Sequence, residues 1–210
     1  MASHATRPAQ VKSGTGFFVS PDGLAVTSAH VVSGCEGIAL WPTEGMEMIA
    51  RILAVDAQHD LALLSAAGNP EWYADRLGDA DNVNAGAQFL TIGFGAVPSK
   101  PREPRLMPGR VIGGVTDSRG YPLLLIRADL REGNSGGPVI DADDTLLGMV
   151  TGRDAERPEL GVAVPAKVIS AFVTQYITRT GSASREKHPT NTADFLRAIS
   201  VLVQCMPPGR

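Results

Sequence analysis

Cysteine is nearly absent from this 210-residue chain, which has two, Cys35 and Cys205. Two cysteines cannot build a disulfide framework, so an apolar core has to carry the fold. They could form a single pair, but nothing in the sequence requires it. Long apolar runs are also missing, and no stretch approaches the ~20 residues needed to span a bilayer. Residues 1–10 are polar and lack the apolar segment of a secretory signal. Charge of one sign is not in excess. Nineteen Lys and Arg against 22 Asp and Glu give a formal net charge of -3, which shows no bias toward nucleic acid or an anionic membrane. The basic residues are scattered, apart from a loose cluster at Lys100, Arg102, Arg105 and Arg110.

Glycine (23) and proline (15) are plentiful, as many short strands joined by tight turns require. Apolar segments read as strands at 16–19, 24–27, 37–41, 46–55, 61–64 and 88–93, then at 110–115, 123–128, 138–141, 146–151 and 161–164. Their number and length predict an all-β protein of two barrels, each of about six antiparallel strands. The boundaries expected are a flexible terminus at 1–10, a first barrel at 11–80 and a second at 81–165, with 79–85 as the linker. A C-terminal helix is predicted at 166–180, opened by Pro165 and carrying Val168, Ile169, Phe172, Val173 and Tyr176 at helical spacing. Between Ala96 and Pro108 a proline-rich loop is expected. Residues 181–190 read as a linker. Thr192 to Cys205 then places Phe195, Leu196, Ile199, Leu202 and Val203 on one helical face, a tail expected to dock on this body or on another part of the assembly.

Three segments carry candidate chemistry. Gly133-Asn134-Ser135-Gly136-Gly137-Pro138 offers a hydroxyl on a glycine-rich turn, whose backbone can approach a carbonyl closely. His30 lies just past the apolar run Leu24-Ala25-Val26-Thr27. Asp60 stands at the mouth of the buried run Leu61-Ala62-Leu63-Leu64. Each alone has a plain structural reading. Together, in the order His, Asp, Ser, they match one of the chain orders that a nucleophile–base–orienter triad takes.

These segments resemble the trypsin-like serine protease family, specifically its bacterial high-temperature-requirement (HtrA/Deg-type) branch. The similarity is carried by 13–32, 60–64, 133–141 and 160–165, and extends over roughly 11–178. The resemblance implies two six-stranded barrels and a serine endopeptidase acting on extended or unfolded protein segments, with no cofactor and no metal. It implies His30 as general base and acid, Asp60 as orienter and Ser135 as nucleophile. The backbone of Gly133, Asn134 and Ser135 would shape the oxyanion hole. Thr151 is either a support for Asp60 or an ordinary strand residue. Thr151, Gly152 and Arg153 would offer backbone to an extended peptide.

The chain also departs from that pattern. Asn134 is uncharged where pancreatic-type relatives carry an acid that binds a freed N-terminus, so no zymogen switch of that kind is expected. Asp129 falls where the floor of the specificity pocket is expected. It would favour Lys or Arg substrates, unless it pairs with Arg127, Arg131 or Arg153. Arg153 falls near the pocket rim, where it could plug the pocket. Cys35 has no partner in its own loop and is expected as a buried thiol. His59 beside Asp60 is expected at the surface rather than on a metal. The residues after the predicted helix are too few for a PDZ domain, which leaves a PDZ-less member or a sequence that stops early; a homo-oligomer is left open, and an extracytoplasmic compartment is favoured. A catalytically silent, peptide-binding scaffold is the competing reading.

Overall fold

The computed structural model describes residues 11–78, 83–95, 103–154, 156–177 and 189–208. The first five strands are β1 (Lys12–Phe18), β2 (Leu24–Ser28), β3 (Gly37–Pro42), β4 (Met48–Asp56) and β5 (Leu61–Ala66), with the one-turn helix α1 (Ala29–Val32) after β2. The next six are β6 (Gln88–Gly93), β7 (Arg105–Thr116), β8 (Pro122–Ala128), β9 (Pro138–Ile140), β10 (Leu146–Arg153) and β11 (Leu160–Pro165). Helix α2 (Ala166–Val173), helix α3 (Thr192–Ile199) and strand β12 (Ser200–Met206) follow.

Two closed antiparallel barrels result, ordered β1-β12-β3-β4-β5-β2 and β10-β11-β8-β7-β6-β9. The two-barrel expectation therefore holds, but the first barrel is completed from the other end of the chain. Strand β12 lies between β1 and β3, pairing Lys12 with Cys205 at one edge and Ile38 with Cys205 at the other. The tail expected as one helix over 192–205 is half helix and half strand. Phe195, Leu196 and Ile199 bury the inner face of α3. After that Ser200-Val201-Leu202-Val203 extends, because Val201 and Val203 fill the first barrel while Leu202 is buried as well. A β-branched run that must be covered on both faces fits a central strand better than a helix.

Residues 105–108, expected as loop, belong to β7 and pair with β6, while 96–102 lie outside the described residues. Residues 1–10, most of the 181–190 linker and part of the 79–85 linker also lie outside them.

Runs such as Leu61-Ala62-Leu63-Leu64 are continuous rather than alternating because both of their faces are buried. Leu61 and Leu63 pack between the barrels with Phe17, Val26, Ile140 and Met149. Ala62 and Leu64 pack inside the first barrel with Phe18, Ala25, Leu40 and Val203. Helices α2 and α3 cap the shared core with Ile169, Phe172, Phe195 and Ile199.

Cys35 is not a free thiol. It forms a disulfide with Cys205, at a sequence separation of 170. The bond ties β12 to the turn just after α1. A cross-link closing so long a loop restricts the unfolded chain strongly, and losing one typically costs about 2–5 kcal/mol. Reduction, or Cys35→Ser with Cys205→Ser, is therefore expected to lower the thermal midpoint clearly while the fold persists. Paired melts with and without reductant check this.

Candidate active site

Strand pairing brings His30 and Asp60 together. Ser28 at the end of β2 lies opposite Leu61 at the start of β5, so α1 and the β4–β5 turn emerge side by side. Asp60 has a positive φ of 56°, a left-handed conformation that is uncommon outside glycine and tolerated by Asp. That turn is held from several sides. The Asp56 carboxylate accepts from the Gln58 and His59 amides and from the His59 ring at 2.6 Å. Tyr121, on the β7–β8 hairpin, meets His59 edge-on at 4.9 Å, and Arg119 donates to the Gln58 carbonyl at 3.2 Å. His59 is thus half-buried in this lock rather than at the open surface, and it steadies the turn that presents Asp60.

Four donors converge on Asp60. The Ala29 amide donates to its carbonyl at 3.0 Å and the His30 amide to Oδ1 at 2.9 Å. The His30 ring Nδ1 lies 2.7 Å from Oδ2, and Thr151 Oγ1 donates to Oδ2 at 2.5 Å. Burial opposes ionisation of Asp60, but the hydrogen bonds from the His30 ring, Thr151 and the His30 amide outweigh it and hold the pKa below the ordinary value. The hydrogen bond to Asp60 raises the His30 pKa above 6.5, with burial and Lys12 working the other way.

The serine loop is anchored on the first barrel. The Thr15 amide donates to the Ser135 carbonyl at 2.8 Å, and the Thr15 hydroxyl donates to the Gly133 carbonyl at 2.8 Å. Thr27 in turn donates to the Thr15 carbonyl at 2.6 Å. Sequence reasoning passed over these two buried threonines. The signal was a threonine beside apolar residues in each strand: Thr15 between Gly14 and Gly16 just before Phe17-Phe18, and Thr27 after Leu24-Ala25-Val26. Gly136 has φ +87°, and a side chain there would run into the Thr15 carbonyl, so only glycine lets the loop sit this close. Asn134 is buried and makes a reciprocal pair with Arg131: its side-chain oxygen accepts from the Arg131 amide at 2.5 Å, and its amide donates to the Arg131 carbonyl at 3.1 Å.

Ser135 Oγ donates to the Thr151 carbonyl at 3.3 Å rather than to His30. The His30–Asp60–Thr151 line is thus formed, while the hydroxyl rests on the neighbouring strand. Asp129 is exposed. Its Oδ2 accepts from Arg105 at 2.7 Å and Arg131 at 3.3 Å, and those two bonds hold its pKa below the ordinary value. Thr151, Gly152 and Arg153 form the last stretch of β10, paired with β11 on one side, while β9 reaches only to Met149 on the other. A cleft of about 540 Å³ contains His30, Ser135, Gly133, Val150 and Arg153. Another of about 590 Å³, between Thr43, Met46, Trp72 and Arg197, contains none of these groups.

Residues 14–149, more than half of the chain, match the family model described as a trypsin-like peptidase domain. The chain belongs to the trypsin-like peptidase family, with HtrA/DegP-type homologues. A probable periplasmic serine endoprotease, DegP-like, of Rickettsia prowazekii is 25% identical over 93% of this chain and 39% of its own length. Human serine protease HTRA4 is 29% identical over 82% of this chain and 37% of its own length, and serine protease Rv3671c of Mycobacterium tuberculosis is 31% identical over 78% and 42%.

 The chain spans about two fifths of the length of these relatives. Among solved structures, the HtrA-type protease AlgW with a tripeptide superposes with a TM-score of 0.68 at 25% identity, covering 79% of this chain and 58% of that one. The active form of the M. tuberculosis Rv3671c protease gives 0.62 at 25% identity, covering 85% and 86%.

Proposed function

We propose that this chain is a serine endopeptidase that cleaves extended or unfolded protein segments through an acyl-enzyme. The observation that carries the reading is the hydrogen-bonded line from Thr151 through Asp60 to His30, with the Ser135 hydroxyl held against the Thr151 carbonyl. Asp60 fixes the tautomer that leaves the outer nitrogen of His30 free to take a proton. Ser135 attacks the scissile carbonyl once its hydroxyl turns from the Thr151 carbonyl to His30. His30 takes the hydroxyl proton and later delivers it to the leaving amine. The amides of Gly133 and Ser135 supply the oxyanion donors, and the β10 edge at Gly152 and Arg153 takes the peptide as an added strand. Relatives named as proteases, and AlgW structures named with bound peptides, support the reading. The disulfide and the relatives named periplasmic support an extracytoplasmic compartment.

A fluorophosphonate probe tests this. Labelling that disappears in Ser135→Ala supports the enzyme. Failure to label in the presence of peptides favours the peptide-binding scaffold, a reading favoured by the resting bond from Ser135 to Thr151.

The proton step fixes the pH behaviour. His30 acts as a base only when neutral, and its pKa lies above 6.5. We expect kcat/KM to rise with pH along a limb centred above that value. Stability runs the other way: the His30–Asp60 contribution from His30 is full below 6.5 and fades as pH rises through the folded pKa. The Asp60 contribution is present above its ordinary 3.8 and fades as pH falls through the depressed value. A pH–rate profile beside pH-dependent melts separates the two.

A further inference from the structure

Arg153 follows Thr151 by two residues on β10 and reaches back across the cleft, where its Nη1 donates to the Leu130 carbonyl at 3.3 Å. It lines both the cleft that holds Ser135 and His30 and an adjoining cavity of about 700 Å³ with Arg127, Asp129 and Arg131. That single long bond engages one of five guanidinium N–H donors, and among the described residues Arg153 makes no ion pair. Of the acids here, Asp129 in the adjoining cavity is already held by Arg105 and Arg131, while Glu132 lines the cleft itself and Glu159 the adjoining cavity, neither paired with Arg153. Leu130 and Val150, both buried, line the same cleft.

We propose that Arg153 makes this chain select substrates with a carboxylate side chain at the residue whose carbonyl Ser135 attacks, so that cleavage falls after Glu or Asp. The inference rests on the serine-peptidase reading above. A peptide laid along the β10 edge covers the guanidinium and strips its water. An aliphatic side chain gives nothing in return for that lost hydration. A basic one adds repulsion. A carboxylate accepts two parallel N–H bonds from the planar fork and exchanges the weak Leu130 contact for a charge-assisted pair.

The test uses matched peptides differing only at that position, with Glu, Gln, Val or Lys, on the oxidised full chain. We expect kcat/KM for Glu to exceed that for Gln by about tenfold or more, in line with a site built for a charged hydrogen-bonding partner. Arg153→Ala brings the Glu-to-Gln ratio close to one, and Arg153→Glu moves the preference to Lys. Arg153→Gln, of similar reach, also loses the Glu preference, and melts establish that each variant folds. Preference for Val in the parent chain, or a Glu-to-Gln ratio that survives Arg153→Ala, overturns the inference alone if the fluorophosphonate still labels Ser135. No labelling, with peptide present, removes the serine-peptidase reading and this inference with it.

Discussion

Removal of residues 189–210 is expected to leave a chain that no longer unfolds cooperatively. The segment holds Phe195, Leu196, Ile199, Val201, Leu202, Val203 and Cys205, each at most 3% exposed. At about 1.5–3 kcal/mol for each large apolar side chain buried, their loss amounts to roughly 10–20 kcal/mol. A domain of this kind has a net stability of only about 5–15 kcal/mol. The loss also strips β12 from between β1 and β3, leaving two sheet edges unpaired and the first barrel open. Far-UV circular dichroism melts of the two chains check this. A cooperative transition within ~5 °C of the full chain would show that the barrel closes without β12, since a few kcal/mol moves the midpoint by more than that.

Asp60→Asn is expected to lower kcat by about 10³–10⁴-fold while leaving the fold in place, by the logic of an orienting carboxylate in a serine triad. The carboxylate accepts from the His30 ring, the His30 amide and Thr151. An amide of the same shape has one acceptor and one donor end. Its NH2 group must take either the Oδ1 place, against the His30 amide donor, or the Oδ2 place, against both the His30 ring and the Thr151 hydroxyl. At the Oδ2 place it selects the tautomer whose outer nitrogen already carries a proton, so the base is lost. The pH limb assigned to His30 should also move down, because the bond that raises that pKa is gone. Steady-state rates across pH, with a melt as control, decide it. A small rate loss with an unmoved limb would count against the triad.

Much of the candidate site could be proposed from sequence because its chemistry is local. Gly133 to Pro138 carries its own turn chemistry, and His30 and Asp60 each sit at the end of a short apolar run. What the runs could not show was which strands would be neighbours. Thr15 binds the Gly133 carbonyl across 118 residues, and the chain around Thr15 marks a buried polar residue but not its partner. The second barrel was read well, apart from the early start of β7. The tail was read half wrongly because Phe195, Leu196, Ile199, Leu202 and Val203 satisfy a helical period by coincidence. Burial on both faces, a tertiary fact, decides for β12. The disulfide was hidden for the same reason, since Cys35 and Cys205 meet only once β12 is in place. Asp129 and Arg153 show the limit for specificity: sequence placed both near the cleft, but only their hydrogen bonds show that the acid is occupied and the guanidinium largely free.

The place of β12 also sets an order of events at synthesis. His30 and Asp60 belong to a barrel whose last stave is made after the entire second barrel, so the first barrel cannot close on a nascent chain until residue 206 has emerged. Pairing Lys12 with Cys205 demands a contact between distant parts of the chain, which slows folding. A partly made chain therefore carries His30, Asp60 and Ser135 without the frame that aligns them, and the candidate site is assembled only when β12 arrives.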